Sequence, residues 1–321
     1  MLFIGAVIAA IIGIVVFSGC IGEPQKEQKS AIAKKETKTY TDDLNRTVEI
    51  PKNPERIVIT TTTGVEILFA INAGDKIIGR PSSTTYPPEA LKIDDIGNPG
   101  SLNLERILEK NPDLIIIPIY AENHITQAEQ LKSYNLTVLA LNYPNTIDTI
   151  LNHIKDLGKV VGKENEANDL TKNITFRINK ITMLTNELNE SQKPGVYKEW
   201  IYQGSRGYTG GRTSFHNDMF AIAGGKNIFS DVEKTSFEAN FEEVIIRNPK
   251  VIIITADLDK FKPDELKDVI KSRPGWNNID AVKNNWICIV ESHITFANPR
   301  LIYGIEEYAK CIHPELFENE K

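Results

Sequence analysis

The segment NLERILEKNPDLIII (residues 103–117) recurs later in the chain as NFEEVIIRNPKVIII (residues 240–254). Each copy combines a short amphipathic pattern, an Asn-Pro break and an apolar run that is too short for a helix. Apolar β-branched runs of this kind are typical of strands buried on both faces, as in parallel sheets covered by helices. The repeat therefore predicts two similarly built α/β units.

A second repeat supports the first. FAINAGDKI (residues 69–77) resembles FAIAGGKNI (residues 220–228), and the copies of both repeats occur in the same order along the chain. Between the repeats, apolar residues at spacings of three and four predict one amphipathic helix over residues 163–191, about 40 Å long at 1.5 Å per residue. The predicted fold class is α/β, with two Rossmann-like lobes of mainly parallel sheets joined by this backbone helix. A single helical connection favours a modest rather than a wide opening between the two lobes.

The bulk composition fits an ordinary globular protein. The chain has 321 residues, of which 41% are hydrophobic and 25% charged, so two cores can be built. A net charge of -6 gives no general attraction to nucleic acid, which we exclude as a partner. The sequence contains no G-x-S-x-G, Walker or H-E-x-x-H motif, so we predict no enzyme activity, no catalytic residue, no resident metal and no cofactor.

Cysteines are few. Cys288 lies in an apolar run and Cys311 in a helical pattern, which favours two buried small side chains over the alternative, a disulfide between them.

The amino terminus is typical of an export signal. Residues 2–17 are apolar or glycine, and small residues precede Cys20, which resembles the lipidation motif of lipoproteins. The pattern departs from that motif in lacking an early Lys or Arg and in carrying Phe17. We expect lipidation at Cys20 and anchorage on the extracytoplasmic face of the cell membrane; an uncleaved membrane anchor is the alternative.

The expected domains are a signal peptide (1–19), the lipidated Cys20 with a flexible tether (20–40), an amino-terminal lobe (41–162), the linking helix (163–191) and a carboxy-terminal lobe (192–321). The tether is assigned because residues 21–39 are rich in Lys, Glu and Gln and nearly free of large apolar side chains.

Ligands of open α/β sheets bind beyond the carboxyl ends of the strands. We predict strands over residues 56–60, 76–79, 114–117, 137–141, 196–200 and 286–290, and a flexible glycine-rich loop over residues 204–211. The residues that follow these strands are rich in aromatic and guanidinium groups, which suit a bulky, planar ligand that carries oxygen anions. The candidate ligand-binding residues are Thr62, Tyr86, Tyr120, Tyr143, Trp200, Tyr202, Arg206, Tyr208, Arg212, His293 and Arg300.

The chain resembles the iron-siderophore/vitamin B12 class of periplasmic binding proteins over almost the whole expected mature chain. The runs that carry the resemblance are PERIV (54–58), EILFA (66–70), NLE (103–105), NPDLI (111–115), AGGKN (223–227), RPGW (273–276), AV (281–282) and NPR (298–300). Singly they are weak, but together and in order they are specific.

The resemblance implies the receptor of an ABC importer, working as a monomer with a permease dimer and separate ATPase subunits. It also implies docking of Glu105 and Glu242 to arginines of the permease. Arg206, Arg212 and Arg300 could balance an anionic complex, so an iron chelate of the siderophore type is the first candidate ligand. A corrinoid such as cobalamin, or haem, is the alternative, and a sensory or adhesive lipoprotein without a permease is a further one.

Overall fold

The computed structural model describes residues 36–201 and 207–317, which form one compact unit. The predicted signal peptide, Cys20, most of the tether, Tyr202 and Arg206 lie outside the described residues. Within those ranges no helix is both long and apolar enough to cross a bilayer.

The amino-terminal lobe begins with an antiparallel hairpin and continues into a parallel sheet. Its strands are β1 Thr37–Thr41, β2 Thr47–Pro51, β3 Ile57–Ile59, β4 Ile77–Gly79, β5 Gly97–Asn98, β6 Ser101–Leu102, β7 Leu114–Ile119 and β8 Val138–Asn142. Its helices are α1 Thr62–Ala70, α2 Leu104–Glu109, α3 Glu122–Ser133 and α4 Ile147–Val161. The sheet order is β4-β3-β7-β8, and all of its pairings are parallel. Strands β1 with β2 and β5 with β6 form the two small antiparallel pairs.

The predicted connecting helix is α5, Glu164–Thr185, and its 22 residues span about 33 Å. It packs against α4 on one side and against two helices of the following lobe on the other. The helix is shorter than predicted, and beyond its end the Asn189 side chain accepts hydrogen bonds from the backbone N–H groups of Ser191 and Gln192. Such a local turn competes with helix continuation.

The carboxy-terminal lobe is built around a second sheet. Its strands are β9 Gly195–Trp200, β10 Tyr208–Thr209, β11 Lys226–Asn227, β12 Phe237–Glu238, β13 Val251–Ala256 and β14 Ile287–Glu291. Its helices are α6 Phe215–Ile222, α7 Phe241–Arg247, α8 Pro263–Ser272, α9 Asp280–Lys283, α10 Leu301–Ile312 and α11 Pro314–Phe317. Strands β9, β13 and β14 are parallel neighbours, β11 adds in parallel to β9, and β10 pairs antiparallel with β9 and β12. Short 3-10 turns lie at Gly74–Lys76, Pro88–Lys92, Trp276–Asn278 and Ser292–Thr295.

The sequence repeat is a structural repeat. Asn103 and Asn240 cap α2 and α7, their side-chain oxygens accepting backbone hydrogen bonds from the first turn of each helix. After each helix an asparagine that precedes proline, Asn111 or Asn248, adopts the left-handed conformation at φ 47° and 44°. The chain then enters the buried strand β7 or β13. The predicted α/β fold with two mainly parallel sheets is confirmed.

One apolar core is shared by the two lobes. It contains side chains of β3, α4 and α5 together with side chains of α6 and α10, and two further cores lie on the outer faces of the two sheets. A shared core resists separation of the lobes, because opening would expose apolar surface to water.

The favoured interpretation of the two cysteines was wrong. Cys288 of β14 and Cys311 of α10 are joined in a disulfide, with Cα atoms 6.2 Å apart. The sequence could not reveal which face of β14 meets α10. Of the predicted loop over residues 204–211, the structure describes residues 207–211: Tyr208–Thr209 form the short strand β10, and Gly207 packs so closely that a Cβ there would lie 1.9 Å from Cγ of Glu199.

Candidate functional site

The carboxyl ends of the strands in both sheets meet between the lobes. Thr63, which follows β3, donates a hydrogen bond from Oγ1 to the carbonyl oxygen of Ala297, which follows β14, at 3.0 Å. We call the surface formed by these strand ends and the loops that follow them the cleft. It contains most of the predicted ligand-binding residues that the structure describes.

An ion pair between Glu66 of α1 and Arg300 forms the base of the cleft. Nε and Nη2 of Arg300 donate to the two carboxylate oxygens of Glu66 at 2.8 and 2.9 Å, and the Glu66 side chain is only 9% exposed. The guanidinium carbon of Arg300 lies 3.9 Å from the centroid of the Tyr86 ring. The predicted Arg300 and Tyr86 are therefore brought together, but the charge of Arg300 is already compensated.

Two tyrosines line the amino-terminal side. The ring centroids of Tyr120 and Tyr143 are 5.4 Å apart in an edge-to-face arrangement, and both rings are partly exposed. Burial of its hydroxyl end raises the pKa of Tyr143; a hydrogen bond with Thr63 opposes this rise and the charge of Glu66 adds to it. Tyr143 thus contacts the start of α1, where the half-buried Thr62 is the first helical residue.

A second aromatic group lines the carboxy-terminal side. The rings of Trp200 and Phe296 are 5.8 Å apart edge to face, and the ring of His293 lies 5.8 Å from the same phenylalanine. Tyr208 pairs with Trp200 across β10 and β9 and is 42% exposed. Rings from both lobes therefore border one cleft.

His293 lies beside two carboxylates. Its Nε2 lies 4.0 Å from Asp257 and 3.9 Å from Glu291, and its backbone N–H donates to Glu291. Among the described residues no group of three or more His, Cys, Asp or Glu side chains is arranged to hold a metal ion. This position can present an imidazole to a ligand, with two carboxylates behind it.

Arg212 is placed differently from the other candidates. It is 62% exposed and forms an ion pair with Glu233, a residue of the loop before β12. Its side chain is therefore compensated at the surface, as that of Arg300 is at the cleft base.

Sequence reasoning missed two charged residues of this region. In the sequence, Glu66 stood out only as the first residue of EILFA (66–70), one of the runs that carry the family resemblance, although in the structure it links the lobes. Lys198 lies two residues before Trp200 on the same face of β9 and is 7% exposed. Burial lowers the pKa of Lys198 to about 7, against the opposing charge of Glu199. The signal available in the sequence was the presence of a lysine within the predicted strand VYKEW (residues 196–200).

The two predicted docking carboxylates occupy equivalent positions. Glu105 is the second residue of α2 and Glu242 the second residue of α7, and both are exposed. Each helix precedes a strand of a parallel sheet and runs back along it, so its first turn lies toward the carboxyl edge of the sheet. Within the described ranges neither carboxylate takes part in an ion pair.

Comparison with known proteins gives consistent matches. A family model described as "Periplasmic binding protein" matches residues 57–292. An uncharacterised ABC transporter substrate-binding lipoprotein of Bacillus subtilis is 29% identical over 97% of both chains. The cobalamin-binding protein of Halobacterium salinarum is 25% identical, covering 86% of this chain and 74% of its own. A solved Staphylococcus epidermidis structure, described as a possible iron-binding periplasmic solute-binding protein, superimposes with a TM-score of 0.68 at 26% identity, covering 82% of this chain and all of its own.

Proposed function

Because the chain belongs to the periplasmic binding protein family and is the substrate-binding component of an ABC transporter of the iron, B12 and haem class, we propose that its cleft binds a corrinoid. The observation that carries this choice is the pairing of the two described guanidinium groups that the sequence had offered to a ligand anion. Arg300 is bound by Glu66 and Arg212 by Glu233.

The pairing of these guanidinium groups favours a neutral ligand over an anionic one. An anionic siderophore complex or the carboxylates of haem need cationic groups to offset desolvation. The guanidinium of Arg300 would first have to leave Glu66, and the loss of one partner from a buried pair costs about 3–5 kcal/mol. The exposed pair of Arg212 with Glu233 adds at most about 1 kcal/mol to this cost. A corrinoid carries neutral amide arms and does not impose this cost.

The aromatic surface suits the same ligand. Tyr120 and Tyr143 on one side and Trp200 and Phe296 on the other offer ring faces and edges to a large, flat macrocycle. Tyr86, Tyr208, Thr62 and His293 are proposed as further contacts. Tyr202 and Arg206 remain proposed contacts from the sequence alone.

An iron chelate is the second candidate. The specific observation in its favour is the 26% identity to the S. epidermidis protein that is described as a possible iron-binding one. This ligand was the first choice from sequence, and it moves to second place because the guanidinium groups are paired.

Transport then requires no covalent chemistry. We propose that the lobes, which share a core, settle modestly around the ligand and that the complex docks on the permease through Glu105 and Glu242. Exposed ion pairs are individually weak, so docking can be reversible. We further propose anchorage through a lipid on Cys20, a monomeric receptor, and domain boundaries at 41–162, 163–191 and 192–321.

A fluorescence titration tests the proposal. The full-length chain in mild detergent is titrated with cobalamin, haem, a ferric siderophore and free metal ions, and the quenching of its tryptophan fluorescence, to which Trp200 in the cleft contributes, is followed. We expect saturable quenching by cobalamin with the lowest dissociation constant of the set. Tighter binding of a ferric siderophore would transfer the function to the second candidate.

A further inference from the structure

A cavity of about 710 Å³ lies beside the cleft, between the carboxyl end of β8, helix α4 and the loop before β12. Tyr120 and Tyr143 form the wall that it shares with the cleft, and Thr235 closes it from the other lobe. We call it the side cavity. Its size falls within the range of about 300–1,000 Å³ that is usual for small-molecule sites, so it can receive a sizeable part of a ligand.

The ionised groups of the side cavity are carboxylates. Asp43 and Asp156 line it, and none of the lysines and arginines that the structure describes does. Asp43 accepts a hydrogen bond from the backbone N–H of Asn142 at 2.6 Å and pairs with none of the described cationic side chains. Asp156 pairs with Lys159, whose side chain is 61% exposed and lies outside the lining.

The one histidine of the lining adds no positive charge. Burial lowers the pKa of His153 to about 4, although Asp156 and Asp43 act in the opposite direction. At neutral pH its imidazole is therefore uncharged. The remaining polar groups of the lining are the amides of Asn142, Asn145 and Asn152 and the hydroxyls of two threonines and two tyrosines.

We propose that the side cavity receives neutral carboxamide arms of the macrocycle in the cleft and excludes carboxylate arms, with Asp43 and Asp156 as the specificity-determining residues. An amide N–H donates to a carboxylate, and an amide oxygen accepts from asparagine. A ligand carboxylate at the same place would meet two like charges, and among the described residues the one cation paired with either of them is Lys159, which lies outside the lining. This inference rests on the proposed function and names the feature by which the site separates corrinoids from acid-bearing macrocycles.

The test compares a corrinoid with its monocarboxylic acid derivatives, in each of which one amide arm has been hydrolysed. Equilibrium dialysis with the full-length chain in detergent gives the ratio of dissociation constants, acid over amide. We expect a ratio of ten or more for at least one derivative, whose altered arm enters the side cavity. In Asp43→Asn/Asp156→Asn the ratio of the dissociation constants, acid over amide, should fall below three.

Asp169→Asn is the matched control, since Asp169 is 79% exposed on α5 and does not line the cavity. It should keep the full ratio. Raising the salt concentration from 50 to 500 mM should shrink the ratio of the unmodified protein, because the repulsion is screened. Equal binding of all derivatives, or an unchanged ratio in the double variant, overturns the inference and leaves corrinoid binding standing. Failure of the amide corrinoid itself to bind overturns both.

Discussion

The carboxylate of Glu66 on α1 is held by two hydrogen bonds from the guanidinium of Arg300, a residue 234 positions later in the chain. Asn298 adds a third contact to the same carboxylate at 3.4 Å. These residues belong to different lobes, so the pair fixes the distance between the lobes at the base of the cleft. A group that sequence alone assigns to ligand binding therefore has a structural role.

Removal of one partner of this pair should destabilise the fold. Arg300→Ala leaves Glu66 buried and unpaired, and we expect the free energy of unfolding to fall by about 3 kcal/mol. Urea denaturation followed by circular dichroism measures it. The double variant Glu66→Leu/Arg300→Met should recover most of the loss, since it removes both charges. A double variant no more stable than Arg300→Ala would contradict this account, and Lys172→Ala on the exposed face of α5 is the control.

The disulfide between Cys288 and Cys311 should contribute to stability. It closes a loop with a sequence separation of 23 residues, for which the entropic model gives about 3 kcal/mol. Cys288→Ala/Cys311→Ala should lower the free energy of unfolding by roughly that amount. Reduction of the unmodified protein should have the same effect, and it should have none on the variant. Free thiols at both positions in the native oxidised protein would refute the assignment.

The fold could largely be predicted from the sequence, because its signals are local. The two Asn-Pro repeats needed only periodicity and a buried strand, and both recur in the structure as α2-β7 and α7-β13. The resemblance to the iron-siderophore/vitamin B12 class is confirmed by the family match. The disulfide and the end of α5 depended on tertiary register and on a side-chain turn, which periodicity does not report.

The site could be predicted less well. Aromatic residues at strand ends were found because the position of a strand end follows from the strand itself. The partner of each cationic side chain could not be predicted in this way, since Arg300 and Glu66 are distant in sequence. The same holds for Arg212, whose partner Glu233 lies in an irregular loop.

The buried Lys198 should make stability depend on pH. Its pKa in the folded protein, about 7, lies below the ordinary value of 10.5, so between these values the unfolded chain binds more protons. Stability should therefore rise with pH, by on the order of 2 kcal/mol from pH 7 to 9. Lys198→Met should be more stable at pH 7 and lose most of this rise. Lys172→Met, an exposed control, should keep it; equal slopes in all three proteins would contradict the prediction.

Substitution of the two predicted docking carboxylates should impair transport without impairing ligand binding. Glu105→Ala/Glu242→Ala should leave the ligand dissociation constant within twofold, because both carboxylates are exposed in the first turns of α2 and α7 and neither is a proposed ligand contact. Uptake of labelled ligand by cells with the cognate permease and ATPase should fall to background. Glu164→Ala, in the first turn of α5, should transport normally. Normal uptake by the double variant would exclude these residues from docking.

Ligand affinity should depend on rings from both lobes. Trp200→Ala removes the indole that meets Phe296, and Tyr143→Ala removes the ring that meets Tyr120; each should raise the dissociation constant for cobalamin at least tenfold. Tyr134→Ala changes a tyrosine that is 48% exposed at the end of α3, and it should bind normally.

Arg212→Ala distinguishes the two ligand classes in the same titration. Its guanidinium is paired with Glu233 at the surface, so a neutral corrinoid should bind the variant within twofold of the unmodified protein. An anionic siderophore complex that uses this guanidinium would instead lose affinity tenfold or more. Loss of cobalamin binding in Arg212→Ala, with Trp200→Ala unaffected, would show that charge rather than aromatic contact governs recognition.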